Sequence, residues 1–250
     1  MIPISSVLLI VLNLFVKEMP PFSQEQLAHA YYSAGTSQID PNKPGGPRLT
    51  LKRATEVFNE IMRRPDRAIP KDLLERAECV AIAPGMKTDG FGLGGEYGKG
   101  VTTCRTPSGN WTAPSYFTVE RGSSGLQMGF KQVDMVLLIM NRKSVEKLVG
   151  DEFRVGVDAT AAAGPLGRES SSEPNSRGDA DILTYTRVRG LFAAVALDGE
   201  VVKQDRNSNR QFYGKEIDAR SILLDSVVPV PVEARPLSAS LSRLSPRKQK

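Results

Sequence analysis

Apolar residues recur at helical spacing from Leu51 to Arg64. Ala54, Val57, Phe58, Ile61 and Met62 fall on one side, and Lys52, Arg53, Asn59, Arg63 and Arg64 on the other. This period predicts an amphipathic helix, with Thr50 as N-cap and Pro65 as its stop. A second short helix opens at Pro70 and runs through Leu73 and Leu74 to about Ala77. Beyond it the pattern shifts to short apolar runs. Cys79 to Ala83 reads as a strand ended by Pro84-Gly85, and glycine-dense Gly90 to Gly100 leads into strand from Val101 to Arg105. A turn at Pro107-Ser108-Gly109-Asn110 precedes strand candidates at Ser115 to Glu120 and Leu126 to Phe130. The continuous run Met135 to Met140 predicts a strand buried on both faces.

Asn141 can cap a helix from Arg142 to Val149. Alternation from Val155 to Ala163 predicts one period-2 strand with a small-residue face. Ile182 to Val188 and Leu191 to Leu197 read as strands joined around Gly190, and Asp198-Gly199 as a hairpin before Glu200 to Lys203. A helical turn from Asn207 to Tyr213 closes at Gly214, and a last helix covers about Asp218 to Leu224. Strands outnumber helices, and their connections are too short for parallel crossovers. The predicted class is therefore α+β: a curved, mainly antiparallel β-sheet or barrel with short helices packed at its ends and one side.

Residues 31–48, rich in Pro and Gly among polar neighbours, read as a linker, which places the folded domain at 49–226. Residues 227–250 read as a basic, Pro-containing, unstructured tail. The formal net charge is +5, and Arg235, Arg243, Arg247, Lys248 and Lys250 follow the last acidic residue, Glu233; these five equal the whole excess, so the rest of the chain is close to neutral. The apolar stretch Ile2 to Val16 makes residues 1–30 a signal or apolar anchor segment, with a wrongly chosen start codon as a third reading. An exported protein, periplasmic or secreted and peripheral to a membrane, is the expectation, with a cytoplasmic or N-terminally anchored one as the alternative. Cys79 and Cys104 lack the spacing of a zinc site or a redox pair; two buried thiols or one disulfide would each fit.

The candidate chemistry is mostly negative. The one histidine, His29, lies in the N-terminal segment, so the expected domain has no Ser-His or Cys-His nucleophile pair and no His-containing zinc site. Gly90, Gly92 and Gly95 match a dinucleotide fingerprint in form only, because strand rather than helix follows them. Gly98-Lys99-Gly100 is not a Walker loop. Asp179 and Asp181 are too few oxygens for calcium and read as a solvated loop. No cofactor, metal or nucleic acid is expected. Basic side chains remain. Arg187, Arg189, Lys203, Arg206 and Arg210 lie near one predicted hairpin, and the segment from Lys52 to Arg64 could lie on an anionic bilayer or pack on the sheet.

Seven short phrases, in order over most of the chain, resemble the SYLF domain. They are Ile69-Pro-Lys-Asp-Leu-Leu-Glu-Arg-Ala77 with the strand after it, Gly90 to Val101, Gly109-Asn-Trp-Thr-Ala-Pro-Ser115 and Asp134 to Asn141. The others are Ala163-Gly-Pro-Leu-Gly-Arg168, Tyr185 to Gly199 and Asn209-Arg-Gln-Phe-Tyr-Gly214. The resemblance implies a non-catalytic phospholipid-binding module at an anionic membrane surface, since SYLF domains bind phospholipids and eukaryotic members prefer phosphoinositides. Basic residues of the N-terminal helix contact membrane in some members, which carries Lys52, Arg53, Arg63 and Arg64 over as lipid-binding candidates. Fungal members bind actin; that property is not carried over, because the chain is more similar to the stand-alone bacterial type. The alternative expectation is an envelope structural or protein-interaction domain with incidental lipid binding.

Overall fold

The computed structural model describes residues 46–66, 68–88, 96–121, 133–166, 180–188, 191–193 and 199–245. They belong to one compact unit, Pro41–Lys250. The elements run α1 (Pro47–Met62), α2 (Lys71–Arg76), β1 (Cys79–Thr88), β2 (Glu96–Cys104), β3 (Ser115–Arg121), β4 (Val133–Ile139) and α3 (Arg142–Leu148). There follow β5 (Glu152–Arg154), β6 (Ala161–Ala163), β7 (Ile182–Val188), β8 (Leu191–Ala193), β9 (Val201–Gln204), α4 (Arg206–Tyr213) and α5 (Ala219–Leu223). A 3₁₀ turn, Val232–Ala234, leads into α6 (Arg235–Leu244).

The strands form one sheet in the order β5-β9-β3-β2-β1-β4-β7-β6, with β8 also on β7. Only the β6–β7 pair is parallel among the described strands. The class is α+β, as the periodicities predict.

Both faces of the central strands are buried, and side-chain alternation sorts them into two cores. Cys79, Ala81 and Ala83 of β1 and Met135, Leu137 and Ile139 of β4 point into one, with Val145 and Leu148 of α3 and Ile222 and Leu223 of α5. Val80, Ile82, Val136 and Leu138 point into the other, which Leu51, Ala54, Phe58 and Ile61 of α1, Leu73 and Leu74 of α2, and Leu237 and Leu241 of α6 cover. The run read as buried on both faces is so: β4 is buried at every position except Asp134. Each fully buried Leu, Ile or Phe on α1 contributes about 1.5–3 kcal/mol. The apolar stripe of α1 therefore packs on the sheet.

Local signals act where expected at several ends. The Asn141 side chain accepts from the Ser144 N–H at 2.9 Å and caps α3. Gly214 closes α4 at φ 70°, a conformation costly for a residue with a Cβ. The sulfurs of Cys79 and Cys104, directly opposite each other on β1 and β2, are joined as a disulfide, which decides between the two readings of this pair.

Other expectations need correction. Helix α1 starts at Pro47, not after Thr50, because Pro favours the first helical position, and Gly46 holds the N-cap place. The linker expected at 31–48 thus gives its last two residues to the helix. Strand β1 runs through Pro84-Gly85 with a register shift between Ala83 and Met86; the Asp134 carboxylate accepts the Gly85 N–H at 2.8 Å there. Of the single strand expected from Val155 to Ala163, only Ala161–Ala163 is strand, as β6; the residues before it form the turn after β5. Gly156 adopts φ 83° and the Asp158 carboxylate accepts the Arg154 N–H at 2.6 Å. The tail expected to be unstructured from 227 to 250 contains the 3₁₀ turn and α6. Its prolines start structure there, since Pro236 sits in the first turn, where its missing N–H costs nothing. Leu237 and Leu241 supply the apolar face. Residues 1–45, the strand candidate Leu126 to Phe130, the loop at 169–178 and the hairpin position Asp198 lie outside the described residues.

Candidate interaction surface

The basic residues singled out by sequence fall into two groups. Lys52, Arg53, Arg63 and Arg64 are all exposed, on the outward side of α1 or just past its end. Their outward direction follows from the burial of Leu51, Ala54, Val57, Phe58 and Ile61 on the inward side. No ion pair engages these four among the described residues. Glu56 and Glu60 are exposed on the same helix. Glu60 is committed to Arg187, so the free charge on this side is predominantly positive.

The second group is dispersed and largely neutralised. Arg187 lies on β7 and Lys203 on β9, with β4, β1, β2 and β3 between these two strands. They therefore cannot form one patch beside a hairpin. Arg187 Nε donates to Asp134 at 2.6 Å, and its Nη1 donates to Glu60. Burial lowers the affinity of this guanidinium for its proton, but the bonds and charges of Glu60 and Asp134 outweigh it and hold the pKa above the ordinary value. This triad ties α1 to β4 and β7. Lys203 Nζ lies 3.1 Å from Glu120 and 3.9 Å from Glu152, in a cross-strand row on the solvent side of β5, β9 and β3. Arg206 pairs with Asp151 at 2.8 Å and Arg210 with Glu216 at 3.0 Å. Such exposed pairs add little stability, but each carboxylate cancels charge that a polyanion would otherwise meet. Arg189 lies outside the described residues.

The polar groups placed most firmly were not singled out by sequence. Lys99 Nζ donates to Asp205 at 2.7 Å and lies 3.3 Å from the Ser208 hydroxyl. Asp205 in turn caps α4 by accepting the Ser208 N–H at 2.9 Å. Burial pushes the Asp205 carboxyl up, yet the bonds from Lys99 and Ser208 outweigh it and leave the pKa below the ordinary carboxylate range. Lys99, on β2, thus serves as a partner of the Asp205 cap. Arg105 is 4% exposed and lies over the Trp111 ring, 4.0 Å from its centroid. Its position at the end of β2 was legible; its partners, far along the chain, were not.

Asp181 is committed to the segments beside it, at the α3 N-cap and before β6. It accepts from Asn141 at 2.5 Å and from the Thr160 N–H at 2.9 Å. Asp179 lies outside the described residues. No cluster of three or more metal-ligating side chains occurs among the described residues. An open cavity of about 390 Å³ is bordered by Arg206, Lys215, Glu216 and Asp218. Glu216 is paired with Arg210, and Asp218 caps α5, its carboxyl held low by bonds from Ser221. No helix of the described residues is long and apolar enough to cross a membrane.

Residues 120–244 match the Ysc84 family, described as Las17-binding protein actin regulator. SH3 domain-containing YSC84-like protein 1 of Rattus norvegicus is 32% identical over 200 residues, which cover 78% of this chain and 58% of that protein. The protein of the same name in Homo sapiens gives the same figures. LAS seventeen-binding protein 3 of Saccharomyces cerevisiae is 33% identical over 198 residues, covering 75% of this chain and 42% of the yeast protein. The chain thus spans about half the length of the curated relatives it matches. These matches correct the partner expectation. Anionic phospholipid was expected as the partner and actin was set aside, whereas the matching family is described by protein partners, Las17 and actin.

Proposed function

Because the chain belongs to the Ysc84 family of SYLF domains, we propose that it is a non-catalytic binding module whose partner is a protein of the actin-regulating kind. The match over 120–244 to a family described by Las17 binding and actin regulation carries this reading. The relatives are named for binding and for an attached SH3 domain, not for a reaction. The sheet supports a scaffold role, since its central strands spend both faces on packing. The contact residues we assign are Lys52, Arg53, Arg63 and Arg64, which offer unpaired cations to an acidic protein surface.

Co-sedimentation with filamentous actin and capture by immobilised yeast Las17 test the proposal at physiological salt. Saturable binding to one of them is expected. Charge reversal at all four α1 cations should weaken it while leaving the circular dichroism spectrum unchanged, since none of the four is buried. The earlier lipid expectation is the competing outcome. If vesicles containing phosphatidylinositol phosphates bind the chain while actin and Las17 do not, the protein-partner reading is wrong.

A further inference from the structure

Arg105 Nη1 donates to the Gly109 carbonyl at 2.9 Å. Its Nη2 donates to the Leu74 carbonyl at 3.3 Å, the Ser245 carbonyl at 2.6 Å and the Ser245 hydroxyl at 2.8 Å. The same hydroxyl donates to the Leu241 carbonyl at 2.6 Å. Ser245 is 0% exposed. Its hydroxyl is thus both acceptor and donor in a closed space at the carbonyl end of α6. One guanidinium, stacked on Trp111, joins the β2–β3 turn, the end of α2 and the end of α6.

Ser245 is followed in the sequence by Pro246, Arg247 and Lys248. A serine with proline next and cations after it has the form that proline-directed serine/threonine kinases accept. We propose that Ser245 is a phosphorylation site and that its modification undocks α6 from the sheet. Ser245 Oγ attacks the γ-phosphorus of ATP. The new O–P bond forms as the bond to ADP breaks, ADP leaves with the electron pair, and the hydroxyl proton passes to the kinase's base.

The product does not fit the docked helix. The hydrogen donated to Leu241 is gone. A charge of about −1.5 to −2 then lies against the C-terminal carbonyls of α6, where the helix dipole makes negative charge unfavourable. Arg105 Nη2, already 2.8 Å from the Ser245 hydroxyl, would have to turn from the Leu74 and Ser245 carbonyls it now bonds to face the larger phosphate. The kinase reaches Ser245 through opening of the last helical turn, which needs far less free energy than unfolding the core. Release uncovers Leu237, Leu241 and Trp111 beside α1 and so changes the surface next to the α1 cations. This step stands whether or not actin or Las17 is the partner.

The test incubates the full chain with ATP and a purified cyclin-dependent kinase, maps the phosphate by mass spectrometry, and follows amide exchange. A peptide of residues 239–250 is the accessible control. Phosphate should appear on Ser245 in both, more slowly in the chain. The phosphorylated chain should lose exchange protection over 237–244 while β1 and β4 keep theirs. The Ser245→Ala chain, which retains Thr106-Pro107 as another acceptor, should keep α6 protected under the same treatment. Phosphorylation of the peptide but never of the chain would overturn the proposal, as would a chain phosphorylated at Ser245 with α6 still protected.

Discussion

Replacing Arg105 by alanine removes the clamp without touching any exposed residue. The substitution deletes the donors to three carbonyls, those of Gly109, Leu74 and Ser245, and to the Ser245 hydroxyl. It also removes the stack on Trp111. A hydrogen bond to a charged group contributes about 1.5–3 kcal/mol net, and a desolvated cation–π contact about 2 kcal/mol. These contributions do not add, because one guanidinium makes them all and its own desolvation cost disappears with it. A loss of about 3 kcal/mol is expected, which in a domain of this size lowers Tm by roughly 6–12 °C.

Denaturant unfolding followed by Trp111 fluorescence measures it. This is the chain's one tryptophan, and it lies under the guanidinium. Arg105→Lys should fall between the wild type and Arg105→Ala, because an ammonium keeps donors but loses the planar fork and the stack. A loss under about 1 kcal/mol for Arg105→Ala would refute the reasoning, since it would mean that the orphaned carbonyls find water at no cost. So would a loss of amide protection that spares α6, because Ser245 is the clamp's contact with that helix.

Four further outcomes follow from particular positions. Asp205 has a folded pKa held below its unfolded value, so its contribution is present above pH about 4 and is lost as pH falls through the lower folded value; urea midpoints between pH 6 and pH 3 should fall less steeply in Asp205→Asn than in the wild type. At Gly100 an added Cβ would lie 2.3 Å from Phe117 Cζ and 2.5 Å from the Ile82 carbonyl oxygen, so Gly100→Ala should cost about 2–3 kcal/mol in chemical unfolding. Gly214→Ala, with open space but φ 70°, should cost about 1 kcal/mol in the same assay. Converting Cys79 and Cys104 to serine should cost about 3 kcal/mol for a cross-link separated by 25 residues, and titration of the denatured, unreduced wild type should find no free thiol from this pair.

Much of the local structure was legible because its causes are local. The α1 stripe, the both-faces burial of β4, the Asn141 cap and the Gly214 stop each follow from residues within one or two turns of one another. The failures are local signals with two meanings. Proline marks both the absence of helix and its first turn, and the burial that decides between them at Pro236 comes from α1 and the sheet, far along the chain. Alternation from Val155 to Ala163 reads as strand until a turn at Gly156 divides it.

The candidate surface was legible only as a list of charges. Lys52, Arg53, Arg63 and Arg64 could be placed outward because helical period alone separates them from the buried stripe. Whether a cation is free or spent could not be read the same way. Glu60 and Arg187 meet across 127 positions, Lys99 and Asp205 across 106, and Arg105 and Ser245 across 140.

By itself, then, the sequence determined the helices and central strands from α1 to α3, the stripe α1 buries, the two-sided burial of β4 and the family to which the chain belongs. Tertiary structure alone decided which charges cancel, where α6 docks and what encloses the Ser245 hydroxyl. The reason is physical: backbone period and capping are settled by neighbours a few residues away, whereas pairing across the sheet depends on strand order and register, which no local pattern encodes.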